Sequence, residues 1–162
     1  MNKFTVPDIC DAHGENIKIC DLFLNSYGKN DKFFGQVETA RCEHSNSIVK
    51  ELVAQNGSNK VLVIQHTGTE KCSMVGDQIA QMAYDNQWKG IITNGYIRDI
   101  EVIKDIPIGV YAKNSYPKKT DKSVGKGEVG LTLEFENFIV QKNSWAYVDT
   151  NGIIFSEKEL EF

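Results

Sequence analysis

The sequence lacks the features of a membrane-spanning or secreted protein. No apolar run reaches the roughly 20 residues of a transmembrane helix, and the N-terminal stretch MNKFTVPDIC contains no apolar secretion segment. We therefore expect a cytoplasmic protein without a membrane partner. A block of clustered Lys and Arg is also missing, and the formal net charge is -4. This composition argues against direct binding of nucleic acid.

Cysteine and histidine are scarce. The four cysteines, Cys10, Cys20, Cys42 and Cys72, form no C-x-x-C pair and no zinc-like spacing, so they are interpreted as small core residues rather than as a disulfide framework. Nothing in the sequence marks Cys72 as a nucleophile. His66 follows an apolar run, where a loop histidine bonded to backbone is favoured over a site residue. His13 and His44 are assigned no role.

The 162 residues suit a single domain, here residues 1–162, with its own core. Hydrophobic periodicity predicts helices over residues 5–14, 45–57 and 77–87. Buried strands are predicted over residues 60–65, 89–93 and 108–112, an alternating strand over 35–42, and hairpins over 130–140 and 145–155. Residues 66–76 and the Lys-rich stretch 114–128 are predicted loops, the latter exposed and solvated. The pattern indicates an α/β domain with mixed sheets.

A possible ligand site lies at the start of the third predicted helix. If this helix begins near Gly76, the amide groups of Asp77, Gln78 and Ile79 lack partners within it and favour a small carboxylate or phosphate. Gly76 would allow close approach of a ligand to the backbone. These four residues are therefore candidates for substrate binding.

The stretch NGYIRDIE, residues 94–101, returns to the same place. About ten helical residues travel roughly 15 Å, and about five strand residues return a similar distance. Arg98 and Asp99 are thus expected near Asp77, beyond the strand ends where open α/β sheets bind ligands. An adjacent Arg and Asp can equally be a solvated surface pair, and that alternative stays open at this point.

The residue types at this place define a chemistry. Asp99 offers a hard oxygen ligand for Mg²⁺ or Mn²⁺. Arg98 offers a guanidinium fork for a carboxylate or oxo group, and Asp77 could shuttle a proton through water. A metal in this position would stabilise the enolate that forms when a bond beyond a carbonyl breaks.

The segment from Gly76 to Asp99 resembles a family motif: an acid, twenty intervening residues, then Arg-Asp. The family contains the bacterial regulator of ribonuclease activity A and the class II 4-hydroxy-4-methyl-2-oxoglutarate / 4-carboxy-4-hydroxy-2-oxoadipate aldolases. The segments CDA, FFGQVETARC, VLVIQ and WAYVDTNGIIFSEKEL extend the resemblance over nearly the whole chain.

The resemblance implies a swivelling β/β/α fold and a homotrimer with active sites between subunits. It also implies a divalent metal cation on Asp99, a pyruvate-like group bound by Arg98, and substrate oxygens held by the backbone from Gly76 to Ile79. The implied activities are retro-aldol cleavage of a small 2-oxo acid to pyruvate and decarboxylation of oxaloacetate.

The resemblance also carries alternatives. One branch regulates an endoribonuclease by protein contact, and its bacterial type has an amide in place of the carboxylate that this chain keeps at Asp99. Two departures from the family pattern stand out: Gln65, His66, Thr67 and Gly68 replace a Gly-rich stretch, and Val102 replaces an acid. A domain that does neither task, with a relic pocket, is the third alternative.

Overall fold

The computed structural model describes residues 3–123 and 125–162. Its helices are α1 (Val6–His13), α2 (Ser47–Val53), α3 (Asp77–Asp85) and α4 (Ile100–Ile103), with a 3-10 turn over Gly14–Asn16. Its strands are β1 (Ile17–Ile19), β2 (Asn25–Ser26), β3 (Phe33–Cys42), β4 (Lys60–His66), β5 (Ser73–Val75), β6 (Gly90–Thr93), β7 (Tyr96–Ile97), β8 (Gly109–Ala112), β9 (Asn114–Ser115), β10 (Glu128–Val129), β11 (Leu133–Glu134), β12 (Ile139–Val140), β13 (Trp145–Asp149) and β14 (Gly152–Ser156).

The main sheet is mixed, as the sequence predicted. Its strands follow the order β1-β14-β13-β3-β4-β6-β8-β2, and β10 also pairs with β3. The central strands β3, β4, β6 and β8 are parallel, and the strands flanking them are antiparallel. All residues of β6 and β8 are buried, which explains why their sequences are nearly continuous apolar runs.

A small second sheet positions the candidate site. Its three strands are parallel, in the order β5-β7-β9. Each follows a strand of the main sheet in the chain: β5 follows β4, β7 follows β6, and β9 follows β8. The small sheet therefore extends the parallel core beyond its carboxyl ends, where ligands commonly bind in α/β folds.

Apolar cores cover both faces of the main sheet. Alternate residues of β4 point to opposite faces: Leu62 and Ile64 pack with the helices α2 and α3, and Val61 and Val63 pack with the hairpin side. These side chains are almost completely buried, and each such burial stabilises the fold by about 1.5–3 kcal/mol. Trp88 belongs to the helix-side core and donates from its indole nitrogen to the Gln55 carbonyl at 3.0 Å.

The first helix has the predicted N-cap. The Thr5 hydroxyl accepts a hydrogen bond from the Asp8 amide at 3.2 Å, Pro7 lies in the first turn, and Gly14 follows the helix. The Val6 amide donates to the Asp149 carboxylate at 2.8 Å, which fastens the helix to the turn between β13 and β14. The predicted hairpins β11/β12 and β13/β14 are both present.

The structure differs from the prediction in several places, one of which is the second helix, predicted over residues 45–57 and observed over Ser47–Val53. Residues 66–76 are not entirely a loop, because His66 belongs to β4 and Ser73–Val75 forms β5. The third helix ends at Asp85 rather than at residue 87, since Gln87 adopts a left-handed conformation with φ 70°. The stretch 114–128 contributes to β9 and β10; Val124 in that stretch, like Met1 and Asn2, lies outside the described residues.

Within the described ranges, the helices include none with the length and apolar character needed to span a bilayer.

Candidate active site

A cavity of about 690 Å³ opens where the small sheet meets the helices α2 and α3. Its wall combines four separate segments of the chain with both charged and apolar side chains. The lining residues are Asn46, Lys50, Ser73, Gly76, Asp77, Gln78, Ile79, Met82, Arg98, Asp99, Lys118, Lys119, Thr120, Asp121, Lys122 and Ser123. All six residues that the sequence singled out therefore line one cavity.

Strand pairing brings the two halves of the motif together. The Arg98 amide donates to the Val75 carbonyl at 3.0 Å, which places β7 beside the strand that leads into α3. The Asp77 amide then donates to the Asp99 carboxylate at 3.2 Å. Asp77 and Asp99 are thus neighbours despite their separation in the chain, as the return path through α3 and β6 predicted.

Asp99 has an unusual backbone conformation. Its φ and ψ are 59° and 37°, in the left-handed region that costs a non-glycine residue energy, although Asp and Asn tolerate it better than most residues. Its carbonyl accepts the amides of Val102 and Ile103, so the short helix α4 starts here. The carboxylate, about one third exposed, reaches the cavity. Strain of this kind is concentrated at functional sites.

Asp99 also lies close to Gly76. A Cβ built on Gly76 would be 2.8 Å from Asp99 Oδ2, closer than such atoms pack. The sequence predicted that this glycine admits a ligand to the backbone, whereas the group that it admits here is the side chain of Asp99.

The amides at the start of α3 are less open than predicted. The Asp77 amide is bonded to Asp99, and the Gln78 amide donates to Asp77 Oδ1 at 2.8 Å. Two of the three amides expected to face a ligand thus already have carboxylate partners. The physical reason is the one that suggested an anion site: the partial positive charge of a helix N-terminus attracts carboxylates, and here the chain supplies them.

Arg98 lies beside Asp99 without a tight ion pair. Its Nε is 3.9 Å from Asp99 Oδ2, and its Nη1 donates to the Pro117 carbonyl at 3.4 Å. The Arg98 side chain is 42% exposed, so solvent does reach the Arg-Asp pair, as the alternative of a solvated surface pair requires. A guanidinium has five N–H donors, and these long contacts leave capacity for a bound anion.

The Lys-rich stretch forms one wall of the cavity, and it was predicted as a solvated loop. Lys118, Lys119 and Lys122 line the cavity with Lys50 from α2. The loop is anchored at Thr120, which is 7% exposed and donates to the Asn46 side chain at 2.8 Å. Two backbone bonds hold it further, from the Asp121 amide to the His44 carbonyl and from the Ser73 amide to the Lys118 carbonyl, both 2.8 Å.

The charges of the wall favour an anionic ligand. Five cationic and three acidic side chains line the cavity, so its net charge is positive although the chain as a whole carries -4. Among the acids, Asp121 accepts hydrogen bonds from the Ser123 hydroxyl and amide, which lower its pKa from the usual value. The sequence contained one signal for this wall, the Asp-x-Ser turn at residues 121–123, but nothing that tied it to Asp99.

The donor set of the cavity fits a hard cation. Asp77, Asp99 and Asp121 supply carboxylate oxygens, and within the described residues the lining includes neither a cysteine thiol nor an imidazole. Both described contacts of the Asp99 carboxylate, to the Asp77 amide and to Arg98, use Oδ2. This arrangement suits Mg²⁺ or Mn²⁺ held by a carboxylate and waters better than it suits Zn²⁺.

Comparisons with known proteins identify relatives of this chain. A protein of Vibrio vulnificus (strain YJ016) named "Putative 4-hydroxy-4-methyl-2-oxoglutarate aldolase" is 39% identical over 160 residues, covering 99% of both chains. A protein of the same name from Marinomonas sp. (strain MWYL1) is 40% identical over 158 residues, covering 98% of each chain.

Two solved structures share the fold over nearly their whole length. The RNA-processing inhibitor RraA from Thermus thermophilis superposes with a TM-score of 0.92 at 27% identity, covering 98% of this chain and 96% of that one. A Geobacillus kaustophilus HTA426 structure described as S-adenosylmethionine: 2-dimethylmenaquinone methyltransferase has a TM-score of 0.93 at 31% identity, covering 97% of each. The RraA-like family model, described as Aldolase/RraA, matches residues 6–155. The chain therefore belongs to the RraA-like family.

Proposed function

We propose that the protein is a divalent-metal-dependent carbon-carbon lyase that cleaves a pyruvate-derived 2-oxo acid. The observation that carries the proposal is the convergence of Asp77, Arg98 and Asp99 on one positively charged cavity. The aldolase names of relatives that are 39–40% identical over nearly the whole chain support it.

Asp99 is the residue that would hold the metal, Mg²⁺ or Mn²⁺, with waters in the remaining positions. When bound, such a cation supplies Lewis-acid stabilisation of the negative charge that develops on the 2-oxo group. The left-handed backbone of Asp99 and its contact with Gly76 keep the carboxylate in one orientation. This pre-organisation supports a ligand role over a surface role.

Arg98 would bind the carboxylate or oxo group of the pyruvate half and steady the enolate as the carbon-carbon bond breaks. Asp77 would accept or return a proton through a water molecule. The backbone at Gly76 and Ile79 remains the proposed contact for substrate oxygens. The amides of Asp77 and Gln78 would take part if a ligand replaced their present carboxylate partners.

The lysines of the cavity would bind the part of the substrate that lies beyond the cleaved bond. A carboxylate beyond the cleaved bond would meet Lys50, Lys119 or Lys122, and Ile79 and Met82 offer apolar surface in the same cavity. This combination suits a branched oxo-dicarboxylate such as 4-hydroxy-4-methyl-2-oxoglutarate. Oxaloacetate, which carries two carboxylates on a shorter chain, would be decarboxylated as a side reaction.

The direct test is release of pyruvate by purified protein. The protein is incubated with 4-hydroxy-4-methyl-2-oxoglutarate or oxaloacetate and Mg²⁺, with and without a chelator. We expect turnover that the chelator abolishes and that Arg98→Ala removes. Absence of chelator-sensitive turnover in the wild type, or full turnover in Asp99→Ala, would contradict the proposal.

A second candidate function is regulation of an endoribonuclease by protein contact, without catalysis. Its support is the TM-score of 0.92 with the Thermus RNA-processing inhibitor. The two functions separate in one assay: a regulator should capture an RNase E-type enzyme equally well after Arg98→Ala, whereas lyase turnover should collapse. Capture that is absent in both wild type and variant would remove this candidate.

The assembly that best suits the lyase is a homotrimer with active sites between subunits. Apolar side chains are exposed on both sides of Glu101, next to Asp99: Ile100 is 38% and Val102 44% exposed. Phe23, in the segment between β1 and β2, is 95% exposed. Surface of this kind is typical of an interface, which supports a subunit contact close to the cavity.

A further inference from the structure

Two histidines and a cysteine meet at the carboxyl ends of the parallel strands. His66 is the last residue of β4, Cys72 directly precedes β5, and His44 follows the end of β3. Their ligand atoms all lie within 4.8 Å of one another, and Cys72 Sγ is 3.9 Å from His66 Nε2. None of the three is among the residues that line the cavity of Asp99.

The main sheet creates this cluster. Strands β3 and β4 are parallel neighbours in which Cys42 is paired with His66. His44, two residues after Cys42, therefore lies at the same end of the sheet as His66. The cluster was not predictable from the sequence, because its members are 22 and six positions apart along the chain and follow no metal-binding spacing. One member of the cluster, His66, belongs to the four residues that stand here in place of the Gly-rich stretch of the family pattern.

We propose that His44, His66 and Cys72 form a binding site for a thiophilic divalent transition-metal ion, Zn²⁺ above all. Two imidazoles and one thiolate are a preferred ligand set for Zn²⁺ and a poor one for Mg²⁺. Bonds of about 2.3 Å to sulfur and about 2.05 Å to nitrogen at a tetrahedral angle separate the two atoms by about 3.6 Å. The distance of 3.9 Å between Cys72 and His66 needs a shift of only a few tenths of an ångström.

The surroundings hold the histidines in place. The Asn94 side chain bonds the backbone of His66 on both sides, accepting from its amide at 2.7 Å and donating to its carbonyl at 3.1 Å. Gly68 packs against the ring of His44 so closely that an added Cβ would lie 2.7 Å from Cε1 and 2.8 Å from Nδ1. A rigid frame of this kind lowers the entropy that ligands lose when they bind a metal.

Burial favours a metal ligand over a catalytic nucleophile at Cys72. The side chain is 4% exposed, and burial raises the pKa of its thiol, with the charge of Lys118 acting in the opposite direction. A thiol of raised pKa is a weak nucleophile without an added cation. On metal binding the Cys72 S–H bond breaks, the sulfur keeps the electron pair and donates it to the metal, and the proton leaves to solvent. Burial lowers the pKa of His66, and the neutral form of an imidazole is the one that binds metals.

Metal bound here would brace the lysine wall of the cavity. The His44 carbonyl accepts the Asp121 amide, and Ser73, the residue after Cys72, donates its amide to the Lys118 carbonyl. A metal bound by both His44 and Cys72 would therefore connect the two backbone segments to which the lysine wall is hydrogen-bonded. The role is structural, and it does not depend on the proposed lyase activity.

The test uses Co²⁺ as a spectroscopic probe and Zn²⁺ as a competitor. Untagged full-length protein is stripped with chelator, desalted and titrated. We expect one equivalent of Co²⁺ to produce a thiolate-to-cobalt charge-transfer band in the near ultraviolet, which Zn²⁺ then removes. Zn²⁺ at 100 times its dissociation constant should also raise Tm by about 5–10 °C.

Variants separate this site from the rest of the chain. Cys72→Ser and His44→Asn should each abolish the band and the Zn²⁺-dependent shift of Tm. The matched controls Cys10→Ser and His13→Asn, on α1, and Asp99→Ala should keep both. No band in the wild type, or a band that survives in Cys72→Ser, would overturn the proposal. If Cys72→Ser does not fold, His44→Asn decides the question, since His44 is only half-buried.

Discussion

The carboxylate of Asp99 occupies the space that a side chain at position 76 would need. Asp99 Oδ2 accepts the Asp77 amide at 3.2 Å and would lie 2.8 Å from a Cβ built on Gly76. The glycine and the aspartate are thus one structural unit, formed by two segments of the chain that meet through the pairing of β5 with β7.

Gly76→Ala should impair activity without unfolding the protein. Gly76 has an extended backbone with φ -116°, so alanine adds no backbone strain, but its Cβ would push the Asp99 carboxylate away. A displacement approaching 1 Å can cost about 100-fold in rate. The measurement is oxaloacetate decarboxylation together with Tm. The control is Gly14→Ala, whose Cβ would have no neighbour within 4 Å, and unchanged turnover in Gly76→Ala would contradict the proposed role of Asp99.

Asp99→Asn should remove metal-dependent turnover while keeping the fold. Asparagine tolerates the left-handed backbone, so this variant isolates the loss of negative charge from any loss of backbone geometry. We expect a fall of about 10²–10³-fold, since stabilisation by a metal amounts to several kcal/mol at about 1.4 kcal/mol per factor of ten. Kinetics against Mg²⁺ concentration measure it. Glu101→Gln, an exposed acid two residues further on, is the control and should keep wild-type kinetics.

Lys119→Ala should weaken substrate binding more than it slows the chemical step. The lysine lines the cavity and is exposed, so its contribution to an ion pair is about 0.4–1 kcal/mol, equivalent to a two- to five-fold rise in KM for an oxo-dicarboxylate. The difference from wild type should shrink at high salt. Lys126→Ala is the matched control, because Lys126 lies outside the cavity and pairs with Glu51 at 3.1 Å. An equal effect of both variants would indicate general charge rather than contact.

Ile100→Asp should disrupt the proposed homotrimer. Ile100 is 38% exposed and directly follows Asp99, and a charge at a buried contact between subunits is expensive. Light scattering on a size-exclusion column should give about 55 kDa for the wild type, equal to three chains of 18.2 kDa, and a smaller mass for the variant. Glu101→Gln serves again as the control. A wild-type mass of one chain at all concentrations would contradict the assembly.

The sequence predicted the elements that are long enough to show an apolar pattern or recognisable end residues. The buried strands β4, β6 and β8 read as apolar runs, and α1 was bounded by a Thr cap, a Pro and a Gly. The strands β5, β7 and β9 are two or three residues long, too short for any pattern, and exist because neighbouring strands of the main sheet deliver them side by side. Tertiary placement rather than local preference creates them.

The candidate site was predictable to the same extent. Chain lengths through α3 and β6 sufficed to place Asp77 near Asp99, because helix rise and strand rise are fixed quantities. The lysine wall was missed because its place depends on single hydrogen bonds from Thr120 and Asp121, which leave no trace in hydrophobic periodicity. The capture of two α3 amides by carboxylates was missed for a similar reason, since side-chain direction decides it.

The anchoring of Thr120 has a consequence for how such a protein could change over time. The buried Thr120 fixes the middle of the lysine wall, whereas the side chains of Lys119 and Lys122 on either side of it are exposed and are not part of the core. Replacing one of them by an acid, an amide or an apolar residue would alter what the cavity accepts and leave the scaffold intact. Proteins that share this architecture could therefore diverge in preferred substrate through a few substitutions of the lysines next to Thr120.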